Sequence, residues 1–133
     1  MERAVDADAL RRASVIAAFV LCVAARAQPP INDGDMLTGT LRVVHTTHPN
    51  GTGMKAYQLV SEPRMMPPDD EFCAPGNAVT VFHLFTLTEA SERQLEPLLG
   101  RRVSVQAVEL FCAQTAWHTG DVAVPEWKLL PAD

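Results

Sequence analysis

Histidines are the residues of this chain whose type and spacing could do chemistry. The run His45-Thr46-Thr47-His48 places two imidazole rings close together beside a turn. If His118 lay near them, three neutral ring nitrogens could hold zinc, although structural zinc sites usually take four ligands. The other interpretation is that these side chains form the polar rim of a loop. We predict no cofactor, and we keep a metal-dependent protein or enzyme that uses His45, His48 and His118 as the alternative.

Two further patterns could also carry chemistry. The run Asp69-Asp70-Glu71 offers oxygen ligands for calcium, but it lacks the alternating spacing and the glycine of an EF-hand loop. Ser61, Ser91 and Ser104 lack the Gly-x-Ser-x-Gly elbow of an activated nucleophile. His83 falls within a predicted strand, where a histidine is usually packed. We therefore predict a solvated acidic loop and a protein that is not an enzyme.

The aromatic residues divide into two groups. Phe82, Phe85 and Phe111 have the spacing of strand residues and are predicted to fill the core. Trp117 and Trp127 flank polar or loop positions, which favours exposed contacts. The candidate binding face consists of Trp117, His118, Thr119, Asp121, His45 and His48.

The first 27 residues are typical of a secretory signal peptide. Arg11 and Arg12 precede the apolar run 15–25, and Ala25-Arg26-Ala27 fits the small-x-small cleavage rule. The apolar run is too short to span a membrane. We predict cleavage before Gln28, no membrane span after cleavage, and a periplasmic or secreted location. An uncleaved anchor or a buried N-terminal helix is the alternative.

Two cysteines, Cys73 and Cys112, remain after cleavage. An even pair in an exported protein usually forms a disulfide, because the compartment is oxidising. No Cys-x-x-Cys spacing points to a redox-active or metal-binding pair. We predict a structural disulfide between them.

The charge balance limits the choice of partner. The 106 residues after position 27 contain seven Lys and Arg against thirteen Asp and Glu, a charge of −6 compared with −5 for the full chain. A nucleic-acid binder needs a basic patch that displaces counterions from phosphate. Arg101 and Arg102 are adjacent and so point to opposite sides of a strand. We therefore predict no nucleic-acid partner.

Apolar and polar residues alternate in five segments, which predicts strands after a flexible lead-in at 28–36. These segments are 37–43, 54–61, 78–85, 101–111 and 122–130. Three prolines predict a loop over 62–77, and Pro125 argues against a central position in the last strand. Both faces of segment 78–85 carry apolar groups, so the pattern does not assign its core face. Thr88 is the predicted N-cap of a helix that ends near Pro97 and Gly100.

The order of these elements indicates a fold. Three strands, a helix and two strands form the order of an OB-fold, and closing the sheet would hide its edges. We predict a mainly β protein with one short helix, an OB-fold-like five-stranded Greek-key barrel over residues 37–130. A small open α+β sheet is the alternative.

Six short motifs occur in the same order as in a known family. They are Leu37-Thr38-Gly39-Thr40-Leu41, Tyr57-Gln58-Leu59, Cys73, Leu98-Leu99-Gly100-Arg101-Arg102-Val103, Leu110-Phe111 and His118-Thr119. On these motifs the stretch from Leu37 to about Leu129 resembles the bacterial domain-of-unknown-function family 4431. That family often carries a run of histidines near its close, where this chain has only Trp117-His118. The resemblance implies an exported OB-like domain and supplies no mechanism.

These observations predict an exported OB-like binding module. OB barrels bind oligosaccharides and other ligands with one barrel face and its loops. We predict that the partner is a protein surface or an oligosaccharide of the cell envelope. The loop between the first two strands, the acidic loop around Asp70 and the segment 117–121 are predicted to build the face.

Overall fold

The computed structural model describes residues 28–67, 71–73 and 76–132. The predicted signal peptide lies outside these residues, as do Asp69 and Asp70 of the acidic loop. The described chain forms five strands, one α-helix and one short 3-10 helix. They are β1 (Met36–Thr47), β2 (Gly53–Met65), β3 (Ala78–Leu84), α1 (Glu89–Leu95), the 3-10 helix (Glu96–Leu98), β4 (Arg102–Cys112) and β5 (Val122–Leu129).

The strands close into a barrel in the order β1-β2-β3-β5-β4, and pairing of β4 with β1 completes the ring. β3 and β5 run parallel, whereas the other neighbours are antiparallel. The prediction of a mainly β fold with one short helix and a five-stranded barrel is confirmed. The strand order and the helix between β3 and β4 are compatible with an OB-like Greek key.

The barrel interior follows the alternation of the sequence. Leu37, Gly39 and Leu41 are buried on β1, in the predicted phase. On β3, Phe82 and Leu84 are fully buried, which settles the core face that the pattern left open. His83 lies between them and therefore points to the outer face of the barrel. Further fully buried side chains are Ile31, Tyr57, Leu59, Leu95, Val105, Val122 and Val124.

Gly39 marks the point where β1 passes between its two neighbours. The next residue, Thr40, is paired with Val60 of β2 and with Arg102 of β4. A Cβ atom on Gly39 would collide with the carbonyl of Val60 and would lie 3.0 Å from the amide nitrogen of Ser61. Glycine is required here because the β2 backbone occupies the space of a side chain.

β2 extends further than the sequence predicts. Its pairing with β3 shifts between Val60 and Arg64, and the strand continues to Met65. Pro63 falls inside this shift, where a residue without an N–H interrupts no ladder bond. The prediction of a loop from residue 62 was therefore wrong, because a bulge accommodates the proline within the strand.

Pro125 is accommodated in a similar way in β5. β5 lies between β3 and β4, but its pairing with β3 ends at Val124. Pro125 follows directly and has no partner on that side. The proline thus marks the end of the pairing between β5 and β3, while β5 continues to pair with β4.

The helix begins at the predicted residue. The Thr88 hydroxyl accepts the Ser91 N–H at 3.2 Å, and the Ser91 hydroxyl in turn lies 3.3 Å from the Thr88 nitrogen, a capping box. The 3-10 helix that contains Pro97 ends α1. Gly100 then takes a φ of 81°, which favours glycine.

Tyr57 connects the barrel to the end of this helix. The ring is fully buried, and its hydroxyl donates to Glu96 at 2.5 Å. Lys55 lies 3.6 Å from the same carboxylate. Burial raises the pKa of Tyr57, whereas the hydrogen bond from Tyr57 lowers the pKa of Glu96.

Two further connections secure the barrel surface. Cys73 and Cys112 form the predicted disulfide, with Cα atoms 5.4 Å apart. The lead-in lies against the barrel, because Ile31 is fully buried and its N–H donates to the Met65 carbonyl at 2.9 Å. The Asp33 carboxylate accepts the N–H of Leu110 at 3.0 Å.

Candidate functional site

The β1–β2 loop has a defined shape. The His48 N–H donates to the Thr52 carbonyl at 2.7 Å, and the Gly51 N–H donates back to the His48 carbonyl at 2.8 Å. The Asn50 side chain accepts the Thr52 N–H at 2.9 Å. His48 Nδ1 accepts the Asn50 N–H at 3.2 Å. Four hydrogen bonds within five residues fix the direction in which the His48 ring projects.

The β4–β5 loop is also closed by its own hydrogen bonds. The Ala113 N–H donates to the Asp121 carbonyl at 2.9 Å across the base of the loop. His118 Nδ1 accepts the Gln114 N–H at 3.0 Å, and the His118 N–H donates to the Thr115 carbonyl at 3.1 Å. The loop therefore presents its side chains from a built scaffold.

Asp121 anchors this loop to β3. Its Oδ2 atom accepts the N–H groups of Thr80 and Val81 at 3.0 and 3.1 Å. Its own N–H donates to the Val81 carbonyl at 2.9 Å. Gly120, with a φ of 76°, leaves no room for a Cβ beside the Val81 side chain. The Asp121 carboxylate is thus engaged by the backbone of β3.

The two loops meet through His48 and Trp117. Their rings stack with centroids 3.6 Å apart and planes inclined by 19°. Despite this stack, Trp117 remains 43% exposed. The imidazole covers one face of the indole, and the exposed remainder of the indole ring is available for a ligand. We call residues 48–52 and 113–121 together the loop face.

A second aromatic layer supports the β4–β5 loop. The His118 ring lies 5.5 Å from both Phe85 and Phe111, and Phe85 lies 4.7 Å from His83. Phe85 and Phe111 are only half-buried, so the prediction that both fill the core was wrong. They lie outside the barrel interior, beneath the loop.

His83 is the buried titratable residue below the loop face. It is 7% exposed, and its Nδ1 accepts the N–H of Thr119 at 3.0 Å. Burial, with a smaller contribution from the neighbouring His118, lowers the pKa of His83 to about 4. His83 is therefore neutral at pH 7, with its proton on Nε2.

Two other residues of the predicted face, His45 and Thr119, take no part in the stack of His48 on Trp117. His45 is exposed on β1 and opposes Lys55 in the β1–β2 ladder. The Thr119 hydroxyl is buried and lacks a hydrogen-bond partner. Within the described ranges, no group of three or more His, Cys, Asp and Glu side chains is arranged to hold a metal ion.

Trp127 also differs from its predicted role. It is half-buried and packs against the core. Its indole N–H donates to the Phe85 carbonyl at 2.8 Å. The interpretation of Trp127 as an exposed contact was wrong, because a β5 side chain at this position reaches back over the end of β3.

The loop face is aromatic, polar and almost free of charge. Residues 48–52 and 113–121 contain no Lys or Arg, and their one carboxylate is that of Asp121. Its exposed amide and hydroxyl groups belong to Asn50, Thr52, Gln114 and Thr115. Such a surface suits a neutral ligand that combines an apolar face with hydroxyl or amide groups.

In the described residues, no helix combines the length and the apolar character that crossing a membrane requires. No family model, curated protein or solved structure matches this chain.

Proposed function

We propose that this chain is an exported binding module that recognises an oligosaccharide of the cell envelope with its loop face. The observation that carries the proposal is the exposed indole of Trp117, stacked on His48 at 3.6 Å. Such a ring is rigid before the ligand arrives, so little conformational entropy is lost on binding.

The composition of the loop face supports a sugar. The carbon-bound hydrogens of a pyranose ring form an apolar face that fits a planar indole. Its hydroxyls can exchange hydrogen bonds with exposed amides and hydroxyls such as those of Asn50 and Thr115. The absence of Lys and Arg from the loop face argues against phosphate-rich ligands.

An envelope protein is the second candidate partner. Large apolar side chains are exposed at Trp117 and also at Leu87, which is 80% exposed. Leu87 borders a groove of about 280 Å³ whose lining includes Pro125 and Trp127. Exposed apolar groups of this kind are common in protein interfaces.

Export and the resemblance to the bacterial family 4431 belong to the same proposal. The support for export is the pattern of residues 1–27 together with the disulfide between Cys73 and Cys112. Cell fractionation followed by intact-mass measurement tests it. A mature species that begins at Gln28 is the expected product, and an uncleaved chain in the cytoplasm would contradict it.

Tryptophan fluorescence tests the binding proposal. Neutral cell-wall oligosaccharides are titrated into the full chain, and a saturable change in Trp117 emission is expected. In titration calorimetry, which does not depend on the Trp117 fluorophore, the Trp117→Ala variant should bind at least about tenfold more weakly than the wild type. The matched control is Leu87→Ala, which removes an exposed apolar side chain outside the loop face and should leave the sugar affinity unchanged. Equal affinities for the wild type and Trp117→Ala would refute the role of the loop face.

The same two variants separate the candidates. An envelope protein that still binds Trp117→Ala but is lost with Leu87→Ala would place the partner on the groove. Sugar binding that is lost only with Trp117→Ala supports the oligosaccharide.

A further inference from the structure

A second concave site lies where the lead-in, the start of β1, the end of β2 and the start of β4 meet. It is a pocket of about 220 Å³, and its lining includes Arg64, Arg102, Thr38, Ser61 and Glu62. It shares no residue with the loop face. A ligand bound there would therefore be separate from one bound at the loop face.

The bulge in β2 shapes this pocket. Pairing between β2 and β3 is lost after Val60 and resumes at Arg64, so the intervening residues leave the regular ladder. Ile31 of the lead-in then donates to the carbonyl of Met65, the next residue. The lead-in thereby forms a wall beside the end of β2.

Arg64 is the unusual residue of the pocket. Its Nε atom is buried and has no hydrogen-bond partner. Removing a charged donor from water without an acceptor destabilises the fold. The ion pairs of the described residues are Lys55–Glu96 and Arg93–Glu89, so neither Arg64 nor Arg102 has a carboxylate partner there.

The other lining groups indicate the chemistry of the ligand. The guanidinium fork presents paired N–H donors that match the two oxygens of a carboxylate. The Ser61 hydroxyl donates to the Glu62 carbonyl at 2.7 Å, and the Thr38 hydroxyl is hydrogen-bonded to Ser104 at 2.6 Å. The Glu62 carboxylate would repel a doubly charged anion such as phosphate more than a singly charged one.

We propose that this pocket binds a small carboxylate ligand through Arg64 and Arg102. The carboxylate supplies the acceptor that the Arg64 Nε–H lacks, and Arg102 contributes the second positive charge. An ammonium group on the same ligand, as in an amino acid, would be paired by Glu62. This inference is independent of the loop face and goes beyond the proposed function.

NMR titration of the full chain tests the proposal with four probes that differ in charge. They are N-acetylalanine, alanine, alanine amide and inorganic phosphate. N-acetylalanine and alanine should cause saturable shifts of the Arg64 Nε–H and of the Arg102 amide. Alanine amide, which lacks the carboxylate, should cause none, and phosphate should bind more weakly than N-acetylalanine. A tighter complex with alanine than with N-acetylalanine identifies the pairing of its ammonium with Glu62.

Two variants provide the controls. Arg64→Met should weaken carboxylate binding at least about tenfold and should unfold at the same or a higher temperature, because it removes a buried Nε–H donor that has no hydrogen-bond partner. Arg42→Met removes an arginine whose Nε is already bonded to Gln58 at 2.8 Å, and it should bind like the wild type.

Three results would overturn the proposal. The first is the absence of a saturable shift with either carboxylate up to about 10 mM, a concentration tenfold above a Kd of about 1 mM. The second is unchanged binding by Arg64→Met, and the third is phosphate that binds more tightly than N-acetylalanine. The loop face takes no part in these titrations. A loop face that fails to bind sugar would therefore produce none of these three results.

Discussion

Acidification should destabilise this barrel through His83. The ring is 7% exposed and its Nδ1 accepts the N–H of Thr119, a bond that only the neutral ring can accept. Its pKa is lowered from 6.5 to about 4 by burial, with a contribution from His118. The unfolded chain therefore binds more protons than the folded chain between these values. Stability is fully present above about pH 6.5 and is lost as the pH falls towards 4.

The size of the effect follows from the gap between the two pKa values. The gap of roughly 2.5 units corresponds to a loss of about 3 kcal/mol once the pH is well below 4. Between pH 7 and pH 5 the same linkage predicts a loss of about 2 kcal/mol. This is a large part of the roughly 5–15 kcal/mol that stabilises a typical domain.

Urea unfolding at pH 7 and pH 5 measures the loss, and His83→Asn is the matched control. The asparagine side-chain oxygen can still accept the Thr119 N–H, but the amide does not titrate. The wild type should lose about 2 kcal/mol more than the variant between the two pH values, since the other ionisable groups are common to both. Equal losses in the two proteins would refute the reasoning, as would an NMR titration of His83 with a midpoint near 6.5.

Three further variants test the packing and the anchors. Gly39→Ala should cost about 1–3 kcal/mol in urea unfolding, because the new methyl group meets the Val60 carbonyl; unchanged stability would contradict the close approach of β1 and β2. Replacing both Cys73 and Cys112 by Ser should cost up to about 4 kcal/mol, seen as a lower melting temperature without reductant, whereas an unchanged value would show that the bond does not constrain the unfolded chain. Asp121→Ala should speed hydrogen exchange of the two β3 N–H groups that donate to its carboxylate and should destabilise the fold by about 1–3 kcal/mol; unaltered exchange would show that the carboxylate is not the anchor.

Local signals in the sequence predicted much of the barrel. Alternation placed Leu37 and Leu41 inside, the hydroxyl of Thr88 located the start of the helix, and the pair Cys73 and Cys112 located the disulfide. Each of these depends on neighbouring residues or on simple counting. These predictions were confirmed because packing and local preference favour the same structure.

Other features depend on contacts that a linear pattern does not contain. Pro63 stays in β2 because a bulge removes the need for its N–H. Phe85 has strand spacing, yet β3 ends at Leu84 and the next residue packs under a distant loop. His83 was predicted to be packed on a strand, but its bond to Thr119 links positions 36 residues apart. Periodicity cannot identify which loop covers the outer face of a strand.

β3 explains why the two binding loops, far apart in sequence, form one face. β2 runs antiparallel to β3 and β5 runs parallel to it, and their first residues paired with β3 are Tyr57, beside Leu84, and Val122, beside Phe82. The loops that precede β2 and β5 therefore both lead towards the carboxyl end of β3. His83 and Asp121 then fix the β4–β5 loop to β3 from below.

This arrangement separates anchors from contacts within the predicted face. The Asp121 carboxylate accepts two β3 N–H groups and so anchors the loop, and the Thr119 hydroxyl is buried. Trp117 is supported by His48 from the opposite loop and keeps 43% of its surface exposed. The exposed ring of Trp117 can therefore meet a ligand without breaking an anchor, and the anchors determine where that ring is presented.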